Sequence, residues 1–138
     1  MGAMMMFTYD PKLKKTLPFY DRFPLCIPVQ KAKGGFHGLN LHYLHPIIRA
    51  QFLDALMDIT NNDKYDLSTK MRLTYSLLKS SGDLKFFKPC FKHYLISNIK
   101  SKLLLIEPVD WEIAIFLPTE SFKKKGKTGV WSDSKKII

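Results

Sequence analysis

The sequence is poor in the features that mark common chemistry. It carries no GxxxxGK[ST] or GxGxxG loop to cradle phosphates, no HExxH to hold zinc and no GxSxG nucleophile turn. Only two cysteines occur, Cys26 and Cys90, far apart and in apolar surroundings. With no CxxC pair they argue against a zinc site and read as reduced, buried thiols. No apolar run approaches the roughly 20 residues that span a bilayer. The opening MGAMMMF lacks the basic flank and cleavage pattern of a secretory leader. No membrane partner and no cofactor are expected, and no internal repeat is visible. Acid is scarce: 12 Asp and Glu stand against 22 Lys and Arg, a net charge of +10. A surplus of that size points to a polyanion, nucleic acid foremost, or to an acidic protein surface.

What is present builds a core. A hydrophobic share of 46% and an aromatic share of 13% exclude a disordered chain, and 138 residues suit one domain. The stretch 17–46 organises the rest. Two β-type runs, 24–29 and 36–44, flank Gly34-Gly35, a hairpin signal because glycine accepts the positive φ of a return turn. Alternation in the second run sets Phe36, Gly38, Asn40 and His42 on one face and His37, Leu39, Leu41 and Tyr43 on the other. Pro24 and Pro28 fit the unpaired side of an edge strand. His45-Pro46 then opens a helix, with proline at the first helical position.

Helical spacing of Ile48, Phe52, Leu56 and Ile59, with Ala55 on the same face, predicts a helix over 46–61 that stops at Asn61-Asn62. A second is predicted over 66–81, capped by Asp66 or Ser68 and stopped by Gly82, with Leu67, Met71, Thr74 and Leu78 on one face. Over 85–102 a wheel puts Phe87, Phe91, Tyr94 and Leu95 on one side. Lys85, Lys88, Lys92, His93 and Lys100 gather opposite, with no acid between 84 and 106 to pair them. Residues 103–117 read as strand, first as a buried run and then as an alternation of Trp111, Ile113, Ile115 and Leu117. The expected architecture is α+β: a single domain with an antiparallel sheet of four or five strands, built on the Gly-Gly hairpin and packed by about three helices. Its parts are an N-terminal extended arm (1–16), the core (17–118) and a basic C-terminal tail (119–138).

The candidate nucleic-acid contacts follow the charge. They are Lys12, Lys14 and Lys15 in the arm; Lys31 and Lys33 at the hairpin; Lys85, Lys88, Lys92, His93, Lys100 and Lys102; and Lys123, Lys124, Lys125, Lys127 and Lys135 in the tail. Trp131 offers an indole on which a base can stack, in a tail expected to order on binding. A small nuclease would need Asp54, Asp58, Asp110 and Glu112 to converge on Mg²⁺. His37, His42 and His45 cluster in sequence without a carboxylate at motif spacing.

The segments FTYDPKLKKTLPFYDRFPLCIPV, GGFHGLNLHYLHPIIRAQFLDAL, FKPCFKHYLISNIKSKLL and DWEIAIFLPTESF, in this order, resemble the DNA end protector, or head-completion, proteins of T-even-type phages and their marine relatives. The resemblance covers roughly residues 7–135. It implies a non-enzymatic virion protein, made in the host cytoplasm, that joins the filled head, contacts DNA ends and head, portal or neck proteins, and shields the terminus. It carries over no catalytic residue. Relatives of this kind are longer, with a basic segment ahead of the YDPK block where this chain has little, and this departure leaves two alternatives open, a chain that protects ends alone and one that keeps only the core module. Two other readings stay open on the residues: a neck or baseplate component whose basic charge docks acidic partners, and the small nuclease.

Overall fold

A computed structural model of the chain describes residues 3–60, 62–81 and 85–137. Five strands form one antiparallel sheet in the order β5-β4-β3-β1-β6: β1 (Met4–Met6), β3 (Leu25–Ala32), β4 (Gly35–Asn40), β5 (Phe91–Leu95) and β6 (Leu104–Ile106). A two-stranded pair, β2 (Tyr20–Asp21) with β7 (Phe122–Lys123), lies apart from it. Among the described residues four α-helices pack with these sheets: α1 (Pro46–Thr60), α2 (Leu67–Ser81), α3 (Trp111–Phe116) and α4 (Lys127–Ile137). The α+β expectation holds.

The hairpin forms as its glycines require. Ala32 pairs with Gly35, which leaves Lys33-Gly34 as a two-residue turn, and Gly34 takes φ +75°. Gly35 serves a different need. A Cβ there would lie 1.8 Å from the Tyr94 carbonyl oxygen, so only glycine lets β5 come this close. The prolines depart from expectation, because β3 is central and not an edge. Pro24 precedes the strand. Pro28 is tolerated where the pairing with β4 slips between 28 and 30, at a point β1 does not reach.

Both faces of the central strands are covered. Leu25, Ile27, Val29 and Leu39 join Met4 and Met6 against Phe52, Leu53 and Leu56 of α1. Cys26 turns the other way, into a nest of Phe7, Tyr9 and Tyr94 with Phe36 at its edge. The edge-to-face rings there stand 4.9 to 6.1 Å apart. Both cysteines are free and buried, and burial pushes their thiols well above the ordinary range. Leu39, Leu41 and Tyr43 are buried as the alternation predicts, although the strand ends at Asn40 and Leu41–Tyr43 turns as a 3-10 helix. The side chain of Asn40 caps that turn by accepting from the His42 N–H, at 3.1 Å.

Pro46 opens α1, with the His45 ring nitrogen accepting from the Ile47 N–H. Asp66 caps α2 through the Thr69 N–H at 2.7 Å. Ala55 is exposed and not on the packed face. Asn61 and Gly82, read as helix stops, lie outside the described residues, as do the side chains of Leu67, Met71, Leu78, Lys85 and Phe87.

Three segments depart from expectation. The basic helix over 85–102 does not form. A 3-10 turn holds Pro89, β5 follows, and a second 3-10 turn spans Ile96–Asn98. The run FKHYL has the aromatic content of a strand and pairs with β4 along its whole length, which outweighs the lysine wheel. Residues 103–117 are not one strand. Only Leu104–Ile106 pairs, and Trp111–Phe116 coils into α3 behind the helix-starting Pro108. The opening run is also exposed, not buried. The tail, expected to order only on binding, forms α4 and seals Val130 into the core.

Candidate nucleic-acid interface

The chain after β1 runs on between two neighbours and builds a groove. On one side Lys100 N–H donates to the Thr8 carbonyl at 2.8 Å, Asp10 N–H to the Asn98 carbonyl at 3.1 Å, and Tyr9 bridges Ile99. On the other, Tyr9 N–H donates to the Arg22 carbonyl at 2.8 Å, and Arg22 N–H to that of Ser121 at 3.0 Å. Four backbone segments thus lie side by side, and each brings up a cation. Lys14, Arg22, Lys100 and Lys123 line an open depression of about 500 Å³ with Thr8, Tyr9 and Tyr20. One carboxylate borders it, Asp10, and that is paired with Lys14 at 3.0 Å. A shallower depression continues past Arg22, Phe23 and Lys123. Four cations against one acid, on a concave floor of backbone, fit the phosphates of a nucleic-acid strand.

A buried polar network fixes the floor from below. Asp21, between the groove residues Tyr20 and Arg22, is 4% exposed. Its Oδ1 accepts from the N–H groups of Phe23 and Ser121 at 3.1 and 3.2 Å. Its Oδ2 accepts from the Asn40 amide at 3.0 Å and from His42 Nδ1 at 2.7 Å. Burial alone would push this carboxyl up, but the bonds from His42, Asn40 and Phe23 hold it below the usual carboxylate value. His42 Nε2 meets the Thr119 hydroxyl at 3.0 Å. Acid, imidazole and hydroxyl line up as in an acyl-transfer triad. His42 is fully buried, however, so the imidazole is out of a substrate's reach and the chain of bonds acts as a strut.

Arg49 ties this strut to the helices. It is fully buried and donates to the carbonyls of Leu41, Leu44, Ile115 and His42, and to Glu120 Oε1 at 2.7 Å. The groove's β2 and β7 are therefore held by α1, α3 and the 117–121 loop.

The sequence-predicted contacts divide. Lys14, Lys100 and Lys123 meet in the groove, and Arg22, missed by sequence, joins them. Lys12, Lys92 and His93 line a second, adjoining pocket. Lys124 is engaged elsewhere. At φ +73°, it donates its Nζ to the carbonyls of Lys14 and Leu17, which holds the turn that presents Lys123. Lys125 pairs with Asp133. Lys15, Lys31, Lys33, Lys88, Lys102, Lys127 and Lys135 are exposed but do not line the groove. The backbone of Lys85 sits in a 3-10 turn.

Trp131 is not the free indole expected. Its Nε1 donates to the His42 carbonyl at 2.8 Å, and its ring packs between His45 and Arg49. A bare indole in a lysine-rich tail looks exposed in sequence, but α4 folds it back over the helical corner. The carboxylates weighed for Mg²⁺ do not converge. Asp54 and Asp58 flank a shallow outer depression on α1 that excludes Asp110 and Glu112. Among the described residues no three His, Cys, Asp or Glu side chains come together as metal ligands. His37, His42 and His45 likewise stay apart: His37 contacts Gln30 and His93, while His42 and His45 take separate partners.

The family model described as phage T4 terminal DNA protecting protein matches residues 1–137, nearly the whole chain. The chain belongs to this family. No curated protein and no solved structure matches it. The family accounts for the order of segments read in the sequence, and it bears on the basic groove that the fold has assembled.

Proposed function

We propose that the protein binds the ends of duplex DNA through the Lys14–Arg22–Lys100–Lys123 groove and shields them as a non-enzymatic part of the filled phage head. The observation that carries this reading is the groove itself: four cations drawn from four separate segments onto one concave floor, with a single, already paired acid. Membership of the family of phage T4 terminal DNA protecting proteins supplies the terminus as the target.

The virion side of the reading rests on a different surface. Leu104 and Leu105 of the edge strand β6, with Val109, Ile113 and Phe116, are 53–82% exposed. An apolar edge strand of this kind is a protein-docking feature, and a head, portal or neck protein is the partner proposed for it. No helix among the described residues is long and apolar enough to cross a membrane.

The test is competition between linear and relaxed, covalently closed circular duplex of equal length across a salt series. The proposal predicts a preference for the linear form that survives at physiological salt. Equal competition at every salt would reduce the groove to general polyanion binding.

A further inference from the structure

Beside the groove lies a pocket of about 290 Å³, and Tyr9 and Tyr20 border both. Its wall is aromatic, from Phe19, Tyr20 and Tyr43, and its cationic side chains are Lys12 and Lys92. The one acid on its lining, Asp21, is committed on both oxygens to the strut described above.

Lys92 is the anomaly. It projects from β5 on the same face as Tyr94, opposite Gly38, and its Nζ stands 4.1 Å above the Tyr43 ring. Burial holds its pKa below the usual lysine value, and among the described residues no carboxylate pairs with it. A desolvated ammonium supported by one ring face is costly unless an anion completes it. The volume is near the lower bound of roughly 300 Å³ for small-molecule sites, the scale of one nucleotide and far short of a helix end.

We propose that this pocket takes the terminal nucleotide of a DNA strand, its phosphomonoester on Lys92 and Lys12 and its base against Phe19 and Tyr20. This rests on the groove reading and deepens it. A strand whose internal phosphates lie along Arg22, Lys100 and Lys123 arrives at the pocket across Tyr9 and Tyr20. Only a chain end carries a monoester, whose second negative charge no internal phosphodiester has. An end nucleotide also leaves its stack at least cost, and the aromatic wall replaces the neighbour it loses. A closed circle offers neither feature, so the pocket supplies a physical origin for end preference.

The experiment has two arms. In the first, the full chain is titrated with thymidine 5′-monophosphate, thymidine 3′-monophosphate and thymidine, following the Tyr20 ring resonances and the Lys92 side chain by NMR. The proposal expects a nucleotide to shift both, with thymidine at least about tenfold weaker, the worth of one charge-assisted contact. Lys92→Met, which keeps the stem on Tyr43 but removes the charge, abolishes that difference; Lys135→Gln, exposed on α4 and outside both the pocket and the groove, leaves it intact. In the second, linear duplexes with 5′-phosphate, 3′-phosphate or only hydroxyl ends compete for the wild-type protein, and the arms show which terminus supplies the phosphate. Hydroxyl ends that bind as tightly as phosphorylated ones, with no nucleotide-induced shift, overturn the pocket while leaving a linear-over-circular preference standing. Nucleotide binding that depends on Lys92, without any preference for linear DNA, upholds the pocket and sinks the end-binding reading. If Lys92→Met fails to fold, the nucleotide–nucleoside and phosphate–hydroxyl comparisons on the wild type still decide.

Discussion

Removing the groove cations one at a time should change the salt dependence of DNA binding in countable steps. Of the four, Lys14 is already paired with Asp10 at 3.0 Å, so the release of counterions falls mainly to Arg22, Lys100 and Lys123. Each neutralised phosphate contributes about −0.9 to the log–log slope on duplex, so these three supply roughly −2.7. Between 50 and 200 mM salt that corresponds to an affinity loss on the order of 40-fold from the groove alone. Arg22→Gln, Lys100→Gln and Lys123→Gln should each flatten the slope by about 0.9, and the triple variant by nearly the sum. The assay is filter binding or fluorescence anisotropy of a labelled linear duplex at five or six salt concentrations. Lys127→Gln and Lys135→Gln, exposed on α4 and outside the groove, are the controls and should leave the slope nearly unchanged. Equal flattening by the controls would mean that the protein binds through diffuse charge, and the groove would lose its role.

Other consequences follow from the interior. Asp21→Asn turns one acceptor oxygen into a donor, leaves two of the four donors around that position without an acceptor, and should cost about 3–5 kcal/mol in urea unfolding; a loss below about 1 kcal/mol would refute the strut. Because Asp21 is held below its ordinary value of 3.8, its contribution is complete above that pH and is lost as pH falls through the lower folded value. The variant should therefore show a flatter stability profile than wild type below about pH 4, and parallel profiles would contradict the assignment. Leu41→Ala, at a side chain 1% exposed, should cost about 2–5 kcal/mol by chemical denaturation. Trp131→Ala should lower stability while weakening linear and circular DNA alike; a selective loss on linear DNA would restore the indole as an end-stacking group.

Local signals were the legible ones. Gly34-Gly35, His45-Pro46 and Asp66 each act within a few residues, and each forms the turn or helix end that its chemistry demands. The segment 85–102 misleads because its lysines are spaced as on a wheel while FKHYL shows no apolar–polar alternation of its own; pairing with β4 decides the matter, and that partner is distant in sequence. Buried ionisable groups were harder still, since an interior Asp or Arg gives no periodicity of its own. One clue was available for Arg49, which sits three, four and seven residues before Phe52, Leu53 and Leu56 and so falls on the apolar stripe of α1. The groove depended on topology. Lys14, Arg22, Lys100 and Lys123 belong to four segments that meet only through the pairing of residues 7–10 with 98–101 and of β2 with β7. Charge count alone points to a polyanion but does not say which of the basic residues the fold gathers.

The most direct test of the account is protection of a linear, end-labelled duplex from a processive double-strand exonuclease, comparing wild type with the Arg22→Gln/Lys100→Gln/Lys123→Gln variant at physiological salt. Wild type should preserve the label at protein concentrations near one molecule per end, and the variant, folded by circular dichroism, should need at least about tenfold more. Equal protection by the two proteins, or protection by wild type only at concentrations that coat the whole duplex, would contradict the claim that the groove holds the DNA terminus.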